Sequence, residues 1–282
     1  MKQRIISGLI MVPFLLVVIL GGVWLKAAVF LIALIGIHEF FRGFRAMDIQ
    51  PSFIVAVVSL VMLYIIDLLS SFTQLIPVGV KPYLYVFWLF ISTVLSMLYL
   101  FNIEKRTLMD GMATITGIVY IGFFSYHAVL VDEVFTVICG ITPVWLILIT
   151  AFCTDIGAYF GGYFLGKRKL CPVISPKKTV EGAVAGALSS LLICLLFAAI
   201  FMDHRLLPAY ALMGLAGGVF SQIGDLTASI FKRKMGIKDY GKLILDTAAS
   251  WIVLTAFCSP RRWYSISCCS CTRPGSDRRR WP

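Results

Sequence analysis

Two segments of the chain gather the residue types that bind phosphate and divalent metal. The first contains Asp155 and continues through Ser175, Lys177, Lys178, Thr179 and Glu181. The second contains Asp225, Ser229, Lys232, Arg233, Lys238 and Asp239. Mg²⁺ is usually held by one or two carboxylates together with substrate phosphates. Lys and Arg then take up the phosphate charge that remains. The two segments therefore favour phosphate chemistry assisted by a metal.

The run Ser175-Pro176-Lys177-Lys178-Thr179, followed by Glu181, predicts the start of a helix, with proline in the first turn and an acid after it. Free N–H groups at a helix start, together with two ammonium groups, would bind an anion. The alternative is an anchor of basic residues that touches lipid phosphates on the inner side of a membrane.

Asp155 lies between two apolar runs, so we expect it inside or at the edge of a membrane. A carboxylate there costs about 2.5–3.5 kcal/mol, and it needs a partner or a function. The alternative is an acid at a helix end, in the headgroup layer. In the second segment, Asp225 and Asp239 are candidate metal ligands. The alternative there is a solvated helix face with alternating charges.

The composition places these segments in a membrane protein. Of 282 residues, 60% are hydrophobic and 14% charged, whereas soluble domains are nearer half apolar and a quarter charged. The mean hydropathy is +0.92. These values predict an all-α, polytopic transmembrane helical bundle and exclude a cytosolic domain or a secreted disulfide scaffold. The net charge of +11 does not indicate nucleic-acid binding, since membrane proteins concentrate Lys and Arg in cytoplasmic loops.

A spanning helix needs about 20 apolar residues, and on this basis the sequence predicts about eight spans. They are Ile5–Leu25, Ala27–Phe41, Phe53–Leu69, Tyr83–Phe101, Met112–Val131, one within Val134–Leu165, Ala183–Met202 and Leu206–Ile223. With a cytoplasmic N-terminus, sixteen Lys and Arg residues fall on the inner side and three, Lys26, Lys81 and Arg205, on the outer side. The positive-inside rule therefore puts both phosphate-binding segments at the cytoplasmic face.

The motifs resemble those of the phosphatidate cytidylyltransferases, also called CDP-diacylglycerol synthases. That family's signature reads Ser, any residue, an apolar residue, Lys-Arg, four residues and Lys-Asp. Residues Ser229 to Asp239 match it without a gap. Asp155–Gly162, Ser175–Gly182 and Gly224-Asp225-Leu226 look like the family's other marks, and they occur in the family's order. The resemblance covers roughly residues 1–244, which we take as a multi-pass cytidylyltransferase-like domain.

The resemblance implies a reaction in which CTP and phosphatidate give CDP-diacylglycerol and pyrophosphate, with Mg²⁺ as cofactor. Asp225 and Asp239 would hold the metal, and Lys232, Arg233 and Lys238 would neutralise phosphates. Substrate binding would fall to Asp155, Ser175, Lys177, Lys178, Thr179, Glu181 and Ser229. The implied setting is the inner cell membrane, with the bilayer and both substrates as partners and no nucleic acid. A homodimer is left open.

The chain departs from the family after Ile244. The family continues with Pro-Gly-His-Gly-Gly and Asp-Arg-x-Asp, whereas this chain continues with Leu245-Asp246-Thr247. A coding sequence for the family's segment, with freely chosen codons, reads as Leu245–Trp263 when its first base is dropped. We therefore predict that residues 245–282 are a poorly ordered tail, produced by a one-base frameshift, and that this tail impairs the enzyme.

Two other functions fit parts of the sequence. A secondary transporter also places rare charges and glycine-interrupted helices around a substrate site. Against it, the ionisable residues here gather at one membrane face rather than at the midplane. A CTP-dependent lipid kinase would use the same substrates and would release CDP instead of pyrophosphate.

Overall fold

The structure is a computed structural model that describes residues 21–72, 80–139, 144–201, 204, 207–237 and 240. The predicted tail, 245–282, lies outside these residues. The helices described are α1 (Gly22–Arg45), α2 (Phe53–Phe72), α3 (Lys81–Leu98), α4 (Leu108–Gly117), α5 (Phe124–Cys139), α6 (Val144–Leu165), α7 (Val180–Phe201) and α8 (Leu207–Lys234). A 3₁₀ turn, Tyr99–Phe101, extends α3, and a π-helical segment, Ile118–Phe123, joins α4 to α5. The predicted all-α bundle is confirmed.

Within the described residues, six helical stretches are long and apolar enough to cross a membrane. They are Gly22–Arg45, Phe53–Ser70, Lys81–Phe101, Leu108–Asp132, Leu146–Leu165 and Val180–Phe201. The chain is therefore a multi-pass membrane protein. The first predicted span, Ile5–Leu25, lies mostly outside the described residues. Its predicted end is wrong, because α1 already begins at Gly22. Helix α8 covers the last predicted span but is not among the six, since its glycines, Pro208 and Gln222 lower its hydropathy.

The helices pack as two groups. Helices α1 to α5 surround a large apolar core that includes Phe40, Leu60, Trp88 and Ile121. Helices α6, α7 and α8 form a second group, in which α7 packs against both neighbours. The groups meet where the end of α8 enters the first core, since Phe231 makes edge-to-face contact with Phe40.

The contact between α6 and α7 depends on small residues. A methyl group added at Gly161 would overlap the Cβ atom of Ala185, and one added at Gly186 would lie 2.8 Å from the carbonyl oxygen of Thr154. In membranes, small residues let helix backbones approach closely, and van der Waals packing then holds them together. This close approach fixes α6 against the start of α7.

A buried ion pair joins α1, α2 and α3 at the end of the first group that contains Lys26 and Lys81. Asp67 on α2 is 1% exposed and lies 2.7 Å from Lys26 Nζ of α1 and 3.4 Å from Lys81 Nζ of α3. It also accepts a hydrogen bond of 2.6 Å from the hydroxyl of Tyr126 on α5. A carboxylate at this depth needs such partners. The pair places Lys26 and Lys81 at the same end of the bundle, as the charge count predicted.

We expect Gly161→Val to destabilise the protein by about 1–3 kcal/mol, because the new side chain would overpack the contact between α6 and α7. The measurement is the thermal unfolding of the purified protein in detergent. Val184→Ile, which adds one methylene at a 55% exposed position of α7, is the matched control and should leave the unfolding temperature nearly unchanged. Equal effects of the two variants would contradict the prediction.

Candidate phosphate and metal site

A short hairpin precedes α7. Strand β1 (Lys169–Cys171) pairs antiparallel with β2 (Ser175–Thr179), with Lys169 opposite Thr179 and Cys171 opposite Ser175. The prediction that Ser175 and Pro176 begin a helix is therefore wrong, since α7 begins at Val180. The physical reason is a cap at Thr179. Its hydroxyl accepts a 3.1 Å hydrogen bond from the N–H of Gly182, while Pro176 fits an extended edge strand.

The carboxylate of Glu181 holds the start of the hairpin. It accepts hydrogen bonds from the backbone N–H groups of Lys167, at 3.0 Å, and Arg168, at 3.1 Å. Hydrogen bonds to an ionised acceptor are stronger than those between neutral groups. Glu181 therefore fixes the hairpin to the first turn of α7. Its predicted role in substrate binding stays a prediction.

The hairpin presents Lys178 to α8, where it forms an ion pair with Asp225. The two side chains are 29% and 39% exposed, so both remain accessible to a ligand. Asp155 on α6 lies within electrostatic reach of both Asp225 and Lys178. Three predicted site residues from three different elements therefore lie within electrostatic reach of one another.

The other predicted residues lie around this centre. The Ser229 hydroxyl donates to the carbonyl of Asp225 at 2.8 Å, one turn earlier on α8. Arg233 Nε donates to the carbonyl of Ile174 in the hairpin turn at 3.3 Å, so α8 and the hairpin touch a second time. Lys232 Nζ instead lies 5.9 Å from the ring centroid of Tyr240.

Ser175 and Lys177 take no part in these contacts. Ser175 lies half-buried and Lys177 exposed on β2. Lys238 and Asp239 fall outside the described residues, so their predicted roles stay predictions.

The carboxylates of this site are the candidate ligands for a divalent metal. Among the residues that the structure covers, no group of three or more His, Cys, Asp or Glu side chains could hold a metal ion. Asp155 and Asp225 do interact electrostatically. Two carboxylates that leave positions for phosphate oxygens are the set that Mg²⁺ commonly uses. The described residues therefore offer two carboxylates within electrostatic reach of each other, and a metal there would need substrate phosphates as further ligands.

Two hydroxyl groups near Asp225 were not predicted from the sequence. The Tyr120 hydroxyl and Ser221 Oγ are buried, and neither has a hydrogen-bond partner in the described part of the chain. Ser221 lies one turn before Asp225 on α8, and Tyr120 lies within electrostatic reach of Asp225. Tyr120 belongs to the π-helical segment, a feature that often marks functional sites. The sequence carries no visible signal for it, because Tyr120 lies in an apolar run.

Comparison with known proteins identifies the family of the chain. The model of a family described as "Cytidylyltransferase family" matches residues 2–245. This chain belongs to the cytidylyltransferase family. The departure from the family after Ile244 stays a prediction.

Curated relatives extend the comparison. A protein named phosphatidate cytidylyltransferase from Staphylococcus haemolyticus is 30% identical over 251 residues, which cover 86% of this chain and 90% of the relative. A protein of the same name from Synechocystis is 32% identical over 296 aligned residues, which cover 94% and 96%. The resemblance inferred from the motifs is thereby confirmed.

We expect Thr179→Ala to lower the free energy of unfolding by about 1 kcal/mol, because the N–H of Gly182 at the start of α7 loses its cap. Thermal unfolding in detergent measures the change. Thr179→Ser keeps a hydroxyl that can accept the same hydrogen bond, so it should retain most of the stability. If the serine variant lost as much as the alanine variant, the cap would not be the cause.

Proposed function

We propose that this member of the cytidylyltransferase family transfers the cytidylyl group of CTP to phosphatidate, giving CDP-diacylglycerol and pyrophosphate. The observation that carries the proposal is the convergence of Lys178, Asp225 and Asp155 in a chain that is about 30% identical to proteins named phosphatidate cytidylyltransferase. A basic group and two carboxylates at one place suit a reaction between two phosphates. No observation favours the transporter or the lipid kinase.

In the proposed reaction, a phosphate oxygen of phosphatidate attacks the α-phosphorus of CTP. The bond from that phosphorus to the oxygen bridging to the β-phosphate breaks, and pyrophosphate leaves with the electron pair. Such transfers depend mainly on positioning and on neutralising charge. Lys178, which pairs with Asp225 in the free protein, would move its ammonium group to a phosphate oxygen when substrate binds. This exchange would release Asp225 for the metal.

Mg²⁺ is proposed as the cofactor, with Asp225 and Asp239 as ligands and Asp155 as the adjacent carboxylate. When bound, it would neutralise phosphate charge and orient the leaving pyrophosphate. Arg233, which contacts the hairpin turn at Ile174, and Lys177, which is exposed on β2, would add positive charge for the triphosphate. The roles proposed for Lys232, Lys238, Ser175, Thr179, Glu181 and Ser229 are those implied by the family motifs.

The proposed location is the inner cell membrane, with the N-terminus in the cytoplasm. The distribution of basic residues supports this orientation, since the Lys26 and Lys81 side chains meet at the end of the bundle away from Lys178 and Arg233. CTP is water-soluble and phosphatidate is a lipid, so a site at the cytoplasmic ends of the helices would reach both. Dimerisation stays an untested expectation.

We also propose that the tail after Ile244 is a frameshift product and that it removes a histidine-glycine loop and two carboxylates from the site. We expect the chain as given to incorporate labelled CTP into lipid at least about 100-fold more slowly than a version with the reading frame restored, because phosphate-site groups contribute on that scale. Equal rates for the two versions would contradict this proposal and leave the family assignment intact.

In the frame-restored protein, we expect Asp225→Asn to lower the incorporation of labelled CTP into lipid by about 100-fold or more, because the metal loses a charged ligand. Glu104→Gln, which removes an exposed carboxylate outside the site, is the matched control and should retain full activity. Analysis of the released product as pyrophosphate or CDP separates transfer from kinase activity. An active Asp225→Asn variant would refute the assignment of this residue.

A further inference from the structure

A solvent-open cavity of about 340 Å³ lies where α1 and the extension of α3 end and α4 begins. It is lined by Arg45, Asp48, Gln50, Pro51, Tyr99 and Arg106. None of these residues belongs to the hairpin or to α6, α7 and α8, so the cavity is distinct from the Lys178–Asp225 pair. Its volume lies within the range of small-ligand sites, about 300–1,000 Å³.

Arg106 is held in position at this cavity. Its Nη1 donates a 3.0 Å hydrogen bond to Oε1 of Gln50, and its guanidinium lies 4.5 Å from the ring centroid of Tyr99. Gln50 is itself fixed, because the buried carboxylate of Asp110 accepts its backbone N–H at 2.6 Å. A guanidinium that is already ordered loses little conformational freedom when it binds an anion.

Arg45 supplies a second guanidinium. It lies in the last turn of α1 and is exposed. Among the described residues, its side chain makes no hydrogen bond and no ion pair. A guanidinium can bind a phosphate group through two parallel hydrogen bonds, and both arginines line this cavity. The cavity therefore offers two guanidinium groups to an anion.

The carboxylate of the cavity, Asp48, occupies an unfavourable position. The backbone φ of Asp48 is 61°, which lies in the left-handed region. Asp48 follows α1 in a Schellman turn. In this turn the Ile49 N–H donates to the Phe44 carbonyl and the Asp48 N–H donates to the Arg45 carbonyl, both at 3.2 Å. This position usually carries glycine or asparagine. A negative charge also interacts unfavourably with the C-terminal end of the helix dipole. An acid at such a position, on the wall of a cavity, is suited to a ligand with a positive group.

We propose that this cavity binds a phosphate that carries a primary ammonium group nearby, the chemistry shared by an ethanolamine phospholipid headgroup and free phosphoethanolamine. Arg45 and Arg106 bind the phosphate, and Asp48 binds the ammonium. The cavity lies at the ends of three candidate spans, Gly22–Arg45, Lys81–Phe101 and Leu108–Asp132, where span length would put the headgroup layer. The proposal does not depend on the transfer reaction or on residues 245–282.

The test titrates the full chain, purified in detergent, with dioctanoyl phosphatidylethanolamine and dioctanoyl phosphatidylglycerol and follows binding by native mass spectrometry. We expect the ethanolamine lipid to bind about tenfold more tightly, since one charge-assisted contact distinguishes the two. Asp48→Asn keeps a residue that tolerates the left-handed backbone and removes the charge, so it should abolish this preference. A change of preference, unlike a loss of binding, does not arise from misfolding.

The double variant Arg45→Gln with Arg106→Gln should weaken both lipids by about tenfold. The matched control is Arg42→Gln, which removes an exposed arginine one turn earlier on α1, outside the cavity, and should change neither affinity. Equal binding of the two lipids by the wild type would overturn the proposal, as would an Asp48→Asn variant that keeps the preference or an Arg42→Gln variant as weak as the double variant.

Free phosphoethanolamine, added as a competitor, identifies the source of the ligand. Displacement of the ethanolamine lipid at millimolar concentration would support recognition of the headgroup alone. Failure to displace the lipid, with the preference for it intact, would support recognition of the headgroup together with its glycerol backbone.

Discussion

The ion pair between Lys178 and Asp225 is the interaction on which the candidate site depends, because it joins the hairpin to α8 and sets an ammonium group beside a carboxylate. Two other constraints hold the residues around this ion pair in place. The Thr179 cap and the Glu181 carboxylate orient the hairpin that carries Lys178. The close contact of α6 with α7 keeps Asp155 within reach of the pair. Both substrates of the proposed reaction carry negative charge. A substrate phosphate would therefore compete with Asp225 for the Lys178 ammonium.

The two groups of helices differ in what they contribute: the first contains the large apolar core, and the second carries the candidate site. The buried ion pair at Asp67 stabilises one end of the first group, and aromatic side chains pack together in its middle. The end of α8 packs against this group through Phe231. The second group holds the carboxylates and the hairpin. Helix α8 belongs to the second group and ends in the core of the first. Its position therefore determines where Asp225 and Lys232 lie in the bundle.

Much of this arrangement could be predicted from the sequence. Apolar composition determines an all-α membrane bundle, since only helices satisfy their backbone polar groups within one segment of apolar chain. The motifs named Asp155, Lys178 and Asp225 as candidates for one site, and the structure pairs Lys178 with Asp225 and leaves Asp155 within electrostatic reach of both. The hairpin was not predicted, because Ser175-Pro176 carries the same local signals as a helix start and the capping residue is Thr179. The Tyr120 hydroxyl and the pair at Asp67 depend on contacts between distant helices, which local patterns do not specify.

The most direct test of the central claim is an experimental structure of the frame-restored protein with Mg²⁺ and a non-hydrolysable CTP analogue in lipid nanodiscs. The account predicts a metal ion about 2.1 Å from a carboxylate oxygen of Asp225, with the Lys178 ammonium moved from that carboxylate onto a phosphate of the nucleotide. A nucleotide bound elsewhere, with the Lys178–Asp225 pair still intact, would contradict it.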